Sequence, residues 1–431
     1  MPRPQLAEFM RRMEPNSVAI LPAAREVTRS NDSEYRFRQD SDFYYVTGFG
    51  EPDAIAVVAP SKEEQFTLFV RPRDPEKEVW TGRRAGVEGA KESFGANAAF
   101  PVEEFQAKLA EMLDGARNLY YRLGGGNPDL DQQLIRQIAH MRVMGRRGVR
   151  PPQAIVDPGA ILNEMRLFKS EEEIALMQRS ADIASEAHRE AMRSARPGMK
   201  EYEIEALIEY VFRKNGASAP AYNSIVGGGA NATILHYINN DSELRDGELL
   251  LIDAGAEYEG FASDITRAFP ISGRFTDAQR DIYQLVLDCQ ERCIEMVAPG
   301  VTLEAMHQRS VEILTEGMVR LGLLQGDAEK LIEEEGYKKF YMHRLGHYLG
   351  MDVHDVGVYM ADGQPRPVEA GIVMTVEPGL YIAEDAEGIP DKYRGIGVRI
   401  EDDVLVTEDG YRVLTDKAPK QIEEIEALMA R

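Results

Sequence analysis

Two α/β domains in series, the second built from a repeated half, are what this 431-residue sequence predicts. Three observations carry that reading. The chain is too long for one typical core. Strand and helix signals alternate through the first domain, residues 1–168. In the second, residues 169–431, one pattern of helix, Pro-Gly turn, helix and β-rich stretch occurs twice. The class is therefore α/β (α+β).

In the first domain, Asp42 to Gly48 reads as β-rich, followed by strands over Ala54 to Val58 and Phe66 to Val70. Gly50-Glu51-Pro52-Asp53 supplies a turn. Helical periodicity follows near Val102 to Leu113 and Asp129 to Met144. A turn-rich segment from Arg150 to Gly159 precedes the boundary near Lys169. Ser170 and Glu173 then form a capping box for a long helix with Ile174, Met177, Ile183 and Ala184 on its buried stripe. Pro197-Gly198 and Pro299-Gly300 each introduce a second helix, ending near Gly216 and Gly322. Each copy leads to a β-rich stretch with unusual charges.

Composition narrows the function classes. Apolar residues make up 43% and charged residues 29%, ordinary for a globular chain. With 50 Lys+Arg against 73 Asp+Glu the net charge is −23, which argues against nucleic acid or an anionic membrane as partner. The N-terminal residues lack a signal-peptide pattern and no segment reaches the ~20 apolar residues of a membrane span, so a cytoplasmic protein is expected. Cys289 and Cys293 lie four apart in a helical pattern, without zinc-site spacing, and read as two packed thiols.

The chemistry gathers in the second domain. Leu249 to Ile252 is an apolar run ending in Asp253, and a second β-rich segment carries Asp264. A two-residue loop at Glu259-Gly260 pairs 258 with 261 and sets Asp253 opposite Thr266. Asp264 then shares the face of Asp253; any even loop gives this result and an odd one does not. Two like charges on one face call for a cation or a proton. The bland alternative is that each Asp satisfies backbone donors beside a turn.

Later, Gly371 to Val376 is an apolar strand ending in Glu377 at a Pro-Gly turn, well placed for a cleft. In Val398 to Val406 one parity carries Arg399, Glu401 and Asp403, which could equally be a solvated strand face. Between these stretches lie His343, His347 and His354, three of the seven histidines within 12 residues. The spacing is not His-Glu-x-x-His. His140, His188 and His307 read as structural. Gly227-Gly228-Gly229-Ala230-Asn231 lacks a phosphate-loop Lys and reads as a flexible turn leading to His236.

The order Asp253, Asp264, His347, Glu377, Glu401 resembles the metal-binding set of the pita-bread metallopeptidases. That family comprises methionine aminopeptidase, prolidase and aminopeptidase P. The run from Tyr341 to Gly357, with Arg38 to Tyr45 and Trp80 to Arg84, is most similar to aminopeptidase P. The resemblance implies a creatinase-like N-terminal α/β domain that borders the active-site cleft and mediates assembly, and a C-terminal pita-bread domain with pseudo-twofold internal duplication. It implies two divalent metal ions, most often Mn²⁺: Asp253 on one, Asp264 and Glu401 bridging, His347 and Glu377 completing the second. His236, His343 and His354 would line the substrate cleft, with Arg399 and Tyr381 in supporting positions. Trp80 matches a position that reaches a neighbouring subunit's site, implying a homo-oligomer, dimer or tetramer.

The activity so implied is removal of an N-terminal residue from peptides with proline at the second position. A metal-bridged hydroxide would attack the first carbonyl, with His236 or His343 as hydrogen-bond donor and Glu377 moving a proton. Prolidase action on Xaa-Pro dipeptides, or a non-enzymatic peptide-binding protein on the same fold, are the alternatives. Relatives of the second kind typically lose several of the five ligands, and this chain has them all.

Overall fold

A computed structural model describes residues 3–430. The chain forms two compact units, Met1–Met165 and Arg166–Arg431.

The first unit is a mixed sheet with helices. Its strands are β1 (Val18–Pro22), β2 (Ile55–Val58), β3 (Phe66–Val70), β4 (Ala98–Pro101), β5 (Asn118–Tyr120) and β6 (Ala154–Val156), in the order β4-β3-β2-β1-β5-β6. β1 pairs antiparallel with β2 and parallel with β5. The helices are α1 (Pro4–Arg12), α2 (Ser41–Thr47), α3 (Pro75–Thr81), α4 (Gly86–Phe94), α5 (Phe105–Leu113) and α6 (Pro128–Val143). The expected β-rich segment at Asp42 to Gly48 is therefore wrong: it is α2. Asp40 caps it by accepting the Phe43 N–H at 2.8 Å, and Gly48 ends it in the left-handed region. Terminal capping here overrides the β-propensity of Phe43, Tyr44, Tyr45 and Val46.

Helix α7 (Gly159–Leu167) contains the division between units. The second unit opens with α8 (Glu171–Ser194), whose Ser170–Glu173 capping box is formed as expected. α9 (Glu201–Lys214) follows, then β7 (Ile225–Gly228), β8 (Leu249–Asp253), β9 (Ala256–Tyr258), β10 (Phe261–Ala262) and β11 (Thr266–Pro270). Strands β7, β8 and β11 form one sheet in that order. The helix pair returns as α10 (Asp277–Ile294) and α11 (Leu303–Leu321), with Gly322 in the left-handed region at its end. The sheet returns as β12 (Val373–Val376), β15 (Asp402–Thr407) and β16 (Gly410–Val413), with β13 (Gly379–Ile382) pairing β14 (Ile396–Arg399) between. A last helix, α12 (Ile422–Met429), completes the unit.

Both halves bury their helix faces in one core that includes Ala184, Ala187 and Ala191 of α8 and Cys289 and Cys293 of α10. The two thiols are free and buried, as expected. The halves join edge to edge where the Glu401 N–H donates to the Thr266 carbonyl at 3.1 Å. The Gly227 to Asn231 segment is not a flexible turn. It is the end of β7 and a 3₁₀ turn, pinned because the Gly228 N–H and the Asn231 amide both donate to Glu201. Among the described residues no helix is long and apolar enough to cross a membrane.

Candidate metal centre

The hairpin register places the first two acids. Glu259 and Gly260 turn the chain with φ of 50° and 84°, Tyr258 pairs Phe261, and Asp253 pairs Thr266, as an even loop requires. The Tyr222 hydroxyl then reaches both carboxylates, 2.6 Å from Asp253 Oδ1 and 2.5 Å from Asp264 Oδ1. With one proton to donate, it serves one acid at a time and holds both on the same face.

The second half supplies the rest. Glu377 follows β12, and Glu401 sits in the break between β14 and β15. That break corrects the solvated-face reading of this stretch: Arg399, Glu401 and Asp403 are all buried, Glu401 at 2% exposure. Strand parity gives the side on which a residue lies but does not say whether another layer covers it. His347 is positioned by close backbone approach. A Cβ on Gly346 would lie 2.0 Å from the Thr375 carbonyl oxygen, so only glycine fits there. The His347 N–H donates to Thr375 Oγ1, whose own hydroxyl donates to Glu377 Oε1 at 3.2 Å.

These side chains meet in a cavity of about 620 Å³. Asp253, Asp264, His347, Glu377 and Glu401 line it, and so do His236, His343, His354, Tyr381 and Arg399. Ligand atoms of Asp264, His347 and Glu401 all lie within 4.8 Å of one another. His347 Nδ1 donates to the Tyr348 carbonyl at 3.0 Å. This leaves Nε2 facing Asp264 Oδ2 at 3.4 Å and Glu377 Oε1 at 3.5 Å. Arg399 is the buried cation of the site: Nη2 donates to Asp253 at 2.5 Å, Nε to Thr266 Oγ1 and Nη1 to the Tyr381 hydroxyl. Thr266 Oγ1 in turn donates to Glu401 at 2.6 Å.

Negative charge outweighs positive here, and the acids show it. Burial, then the charges of Asp264, Glu377 and Asp253, pushes Glu401 well above the usual carboxylate range. Burial raises Asp253 too, despite Arg399. Glu377 is pushed up to about 7 by burial, with His347 and Arg399 opposing. Burial would lower His347, but the hydrogen bond and charge of Asp264 and the charge of Glu377 raise it to about 9. Three buried carboxylates, the partly buried Glu377 and an imidazole aimed at them therefore fit divalent cations, the charge the pocket lacks. No other group of three potential metal-binding side chains so close together occurs among the described residues.

His343 differs from the expected oxyanion donor. Burial and then Arg399 hold it down to about 4, so it is neutral. Its Nδ1 donates to the Arg344 carbonyl at 2.7 Å and Nε2 accepts from the Tyr381 hydroxyl at 2.8 Å, so both ring nitrogens are engaged. His236 makes no such bond to a described residue. His354 stands edge-on to His347 with ring centres 4.4 Å apart. Trp80, on α3 of the first unit, is 87% exposed. His188 is structural as expected, buried and bonded to the Ala254 carbonyl, and His307 is buried against Tyr341 where its helix borders the cavity. Tyr222, Thr266 and Thr375 were not found from sequence. Their only signal is a hydroxyl near a candidate acid, too common to discriminate.

The chain matches two family models, Metallopeptidase family M24 over residues 175–408 and the aminopeptidase P N-terminal domain over residues 4–120. It is 46% identical to an Xaa-Pro aminopeptidase of Escherichia coli K12, over 98% of this chain and 97% of that one. Among solved structures, an aminopeptidase PepP of Pseudomonas aeruginosa superposes with a TM-score of 0.97 at 50% identity, covering 99% of this chain and 96% of the other. A zinc-substituted aminopeptidase P of Escherichia coli in complex with product gives 0.95 at 46% identity, covering 99% and 96%. The first unit thus carries the aminopeptidase P N-terminal domain and the second has the pita-bread fold. The chain belongs to metallopeptidase family M24.

Proposed function

We propose that this protein is an Xaa-Pro aminopeptidase that holds two divalent metal ions, most often Mn²⁺, and removes the residue preceding a second-position proline. The observation that supports it most is the convergence of four carboxylates, three of them buried, and His347 Nε2 in one cavity, in a chain 46% identical to an Xaa-Pro aminopeptidase along nearly its whole length. Asp253, Asp264, His347, Glu377 and Glu401 would hold the ions, Asp264 and Glu401 shared between them. An oxygen-rich set with one imidazole suits Mn²⁺. When bound, such ions supply Lewis-acid polarisation of a carbonyl and activation of water near neutral pH.

The side chains do the remaining work. Arg399 orients Asp253 directly and Glu401 through Thr266. Tyr222 fixes the spacing of Asp253 and Asp264. Thr375 ties Glu377 to the His347 backbone, and Glu377 exchanges a proton with the reacting water and the leaving proline nitrogen. His236, which makes no hydrogen bond to a described residue, would donate to the scissile carbonyl, and His354 would position the peptide. His343, held by Tyr381 and the Arg344 carbonyl, presents a fixed ring for substrate packing with Tyr381. Domains over residues 1–168 and 169–431, a cytoplasmic setting and a homo-oligomer belong to the same proposal. The oligomer draws support from adjacent Val79 and Trp80, 81% and 87% exposed.

The test is turnover of an Xaa-Pro-Yaa tripeptide against an Xaa-Pro dipeptide, with and without Mn²⁺. Mn²⁺-dependent release of the first residue from the tripeptide is expected. Strong dipeptide turnover with inert longer peptides would make it a prolidase instead.

A further inference from the structure

The cavity is electrically lopsided. Besides the acids, its lining includes Leu303, His307, Arg344, Tyr359 and Met360. Two arginines line the cavity, and they are used differently. Arg399 is buried and committed to Asp253, Thr266 and Tyr381. Arg344 is exposed and among the described residues its guanidinium pairs only with Glu304, itself half exposed. An ion pair so open to water holds its partners weakly, so Arg344 exchanges Glu304 for another carboxylate at little cost.

The place of Arg344 is nevertheless fixed. Its carbonyl accepts from His343 Nδ1, His343 Nε2 accepts from Tyr381, and Tyr381 accepts from Arg399, which holds Asp253. A hydrogen-bonded chain thus runs from the acidic wall to the backbone of the rim arginine. An exopeptidase must seat the free ammonium of its substrate near the reacting bond, where the carboxylates are. The rest of the peptide then leaves toward solvent, where the Arg344 side chain is 61% exposed. A tripeptide spans about 10 Å when extended, so its far end is carried away from the acids. A net charge of −23 repels acid-bearing peptides at long range, which leaves a local cation to decide their binding.

We propose that Arg344 forms an anion subsite at the cavity rim that selects peptides bearing a carboxylate shortly after proline, with Glu304 as its competing internal ligand. The guanidinium fork suits a carboxylate, whether from a chain terminus or from an acidic side chain. The proposal rests on the Xaa-Pro aminopeptidase reading, and its test separates the two.

The experiment measures kcat/KM of the Mn²⁺-loaded enzyme on Ala-Pro-Ala as free acid, on Ala-Pro-Ala amide and on Ala-Pro-Asp amide. The free acid should exceed the Ala amide by about two- to fivefold, carried by KM, as for a charged contact partly screened by water. Arg344→Gln should bring that ratio to near one, and Glu304→Gln should raise it above wild type. If the Asp amide matches the free acid, side-chain carboxylates serve as well; if it matches the Ala amide, the subsite reads the chain end. Equal turnover of all three by wild type, or an unchanged ratio in Arg344→Gln, would overturn the subsite while leaving the aminopeptidase reading intact. If Arg344→Gln does not fold, an unchanged ratio in Glu304→Gln overturns it alone. Failure to cleave any of the three defeats the aminopeptidase reading itself.

Discussion

Glu401 and Asp402 are consecutive acids, both buried, and their surroundings treat them oppositely. Glu401 faces three other carboxylates and is pushed well above the usual range. Asp402 is buried as deeply, which would raise it, yet Arg267 and Lys420 hold it far below. Its oxygens accept from Arg267 at 2.7 Å, Lys420 at 2.8 Å, Gln290 at 2.7 Å and Thr415 at 2.7 Å. Arg267, 0% exposed, also donates to the carbonyls of Thr266, Glu401, Ala418 and Pro419. Burial of an acid is thus no sign of function by itself. An acid whose cations are in place is structural, and a group of acids short of cations marks a site that takes them from solution.

The contrast breaks most sharply in activity. Asp264→Ala should lower Mn²⁺-dependent hydrolysis by more than ~100-fold, since loss of even outer partners of a metal ligand costs up to that. Retained full activity in a peptide assay would count heavily against the site.

Stability should behave in the reverse way next door. Asp402→Asn strips the buried Arg267 of its counter-charge and should cost about 3–5 kcal/mol, read as a clear drop in melting temperature. Glu401→Gln in metal-free protein should cost nothing or stabilise. A loss from Glu401→Gln equal to that from Asp402→Asn would erase the distinction.

A smaller effect concerns His188, behind the site. Burial holds its pKa down to about 4 from an ordinary 6.5. Between those values the unfolded chain binds a proton that the folded one does not, so stability falls as pH drops from 6.5 towards 4. The loss amounts to about 3 kcal/mol at the acid end. His188→Gln should flatten this part of the melting-temperature profile relative to wild type, and identical slopes would show that another group carries it.

Legibility followed how local each cause was. The pairing of Asp253 with Thr266 was readable because a two-residue turn fixes strand register. Glu377 stood out as the charged end of an apolar strand. Glu401 was ambiguous, since alternation along Val398 to Val406 looks the same whether the polar side meets water or a second sheet. At Ser41 to Thr47 the aromatic residues favour a strand, whereas Asp40 and Gly48, both visible in the sequence, cap a helix. Tyr222, Thr266 and Thr375 could not be found, because their partners are set by how the two halves meet. That His307 borders the cavity depends on the placement of α11, which no local pattern shows.

The central claim is that the pocket is short of positive charge and takes it up as two cations. Calorimetric titration of metal-stripped protein with Mn²⁺ measures this directly, without any substrate. Two ions per chain are expected for wild type, with binding strongly weakened in Glu401→Gln and unaltered in His188→Gln. No uptake by wild type, or equal uptake by the Glu401→Gln protein, would contradict the account.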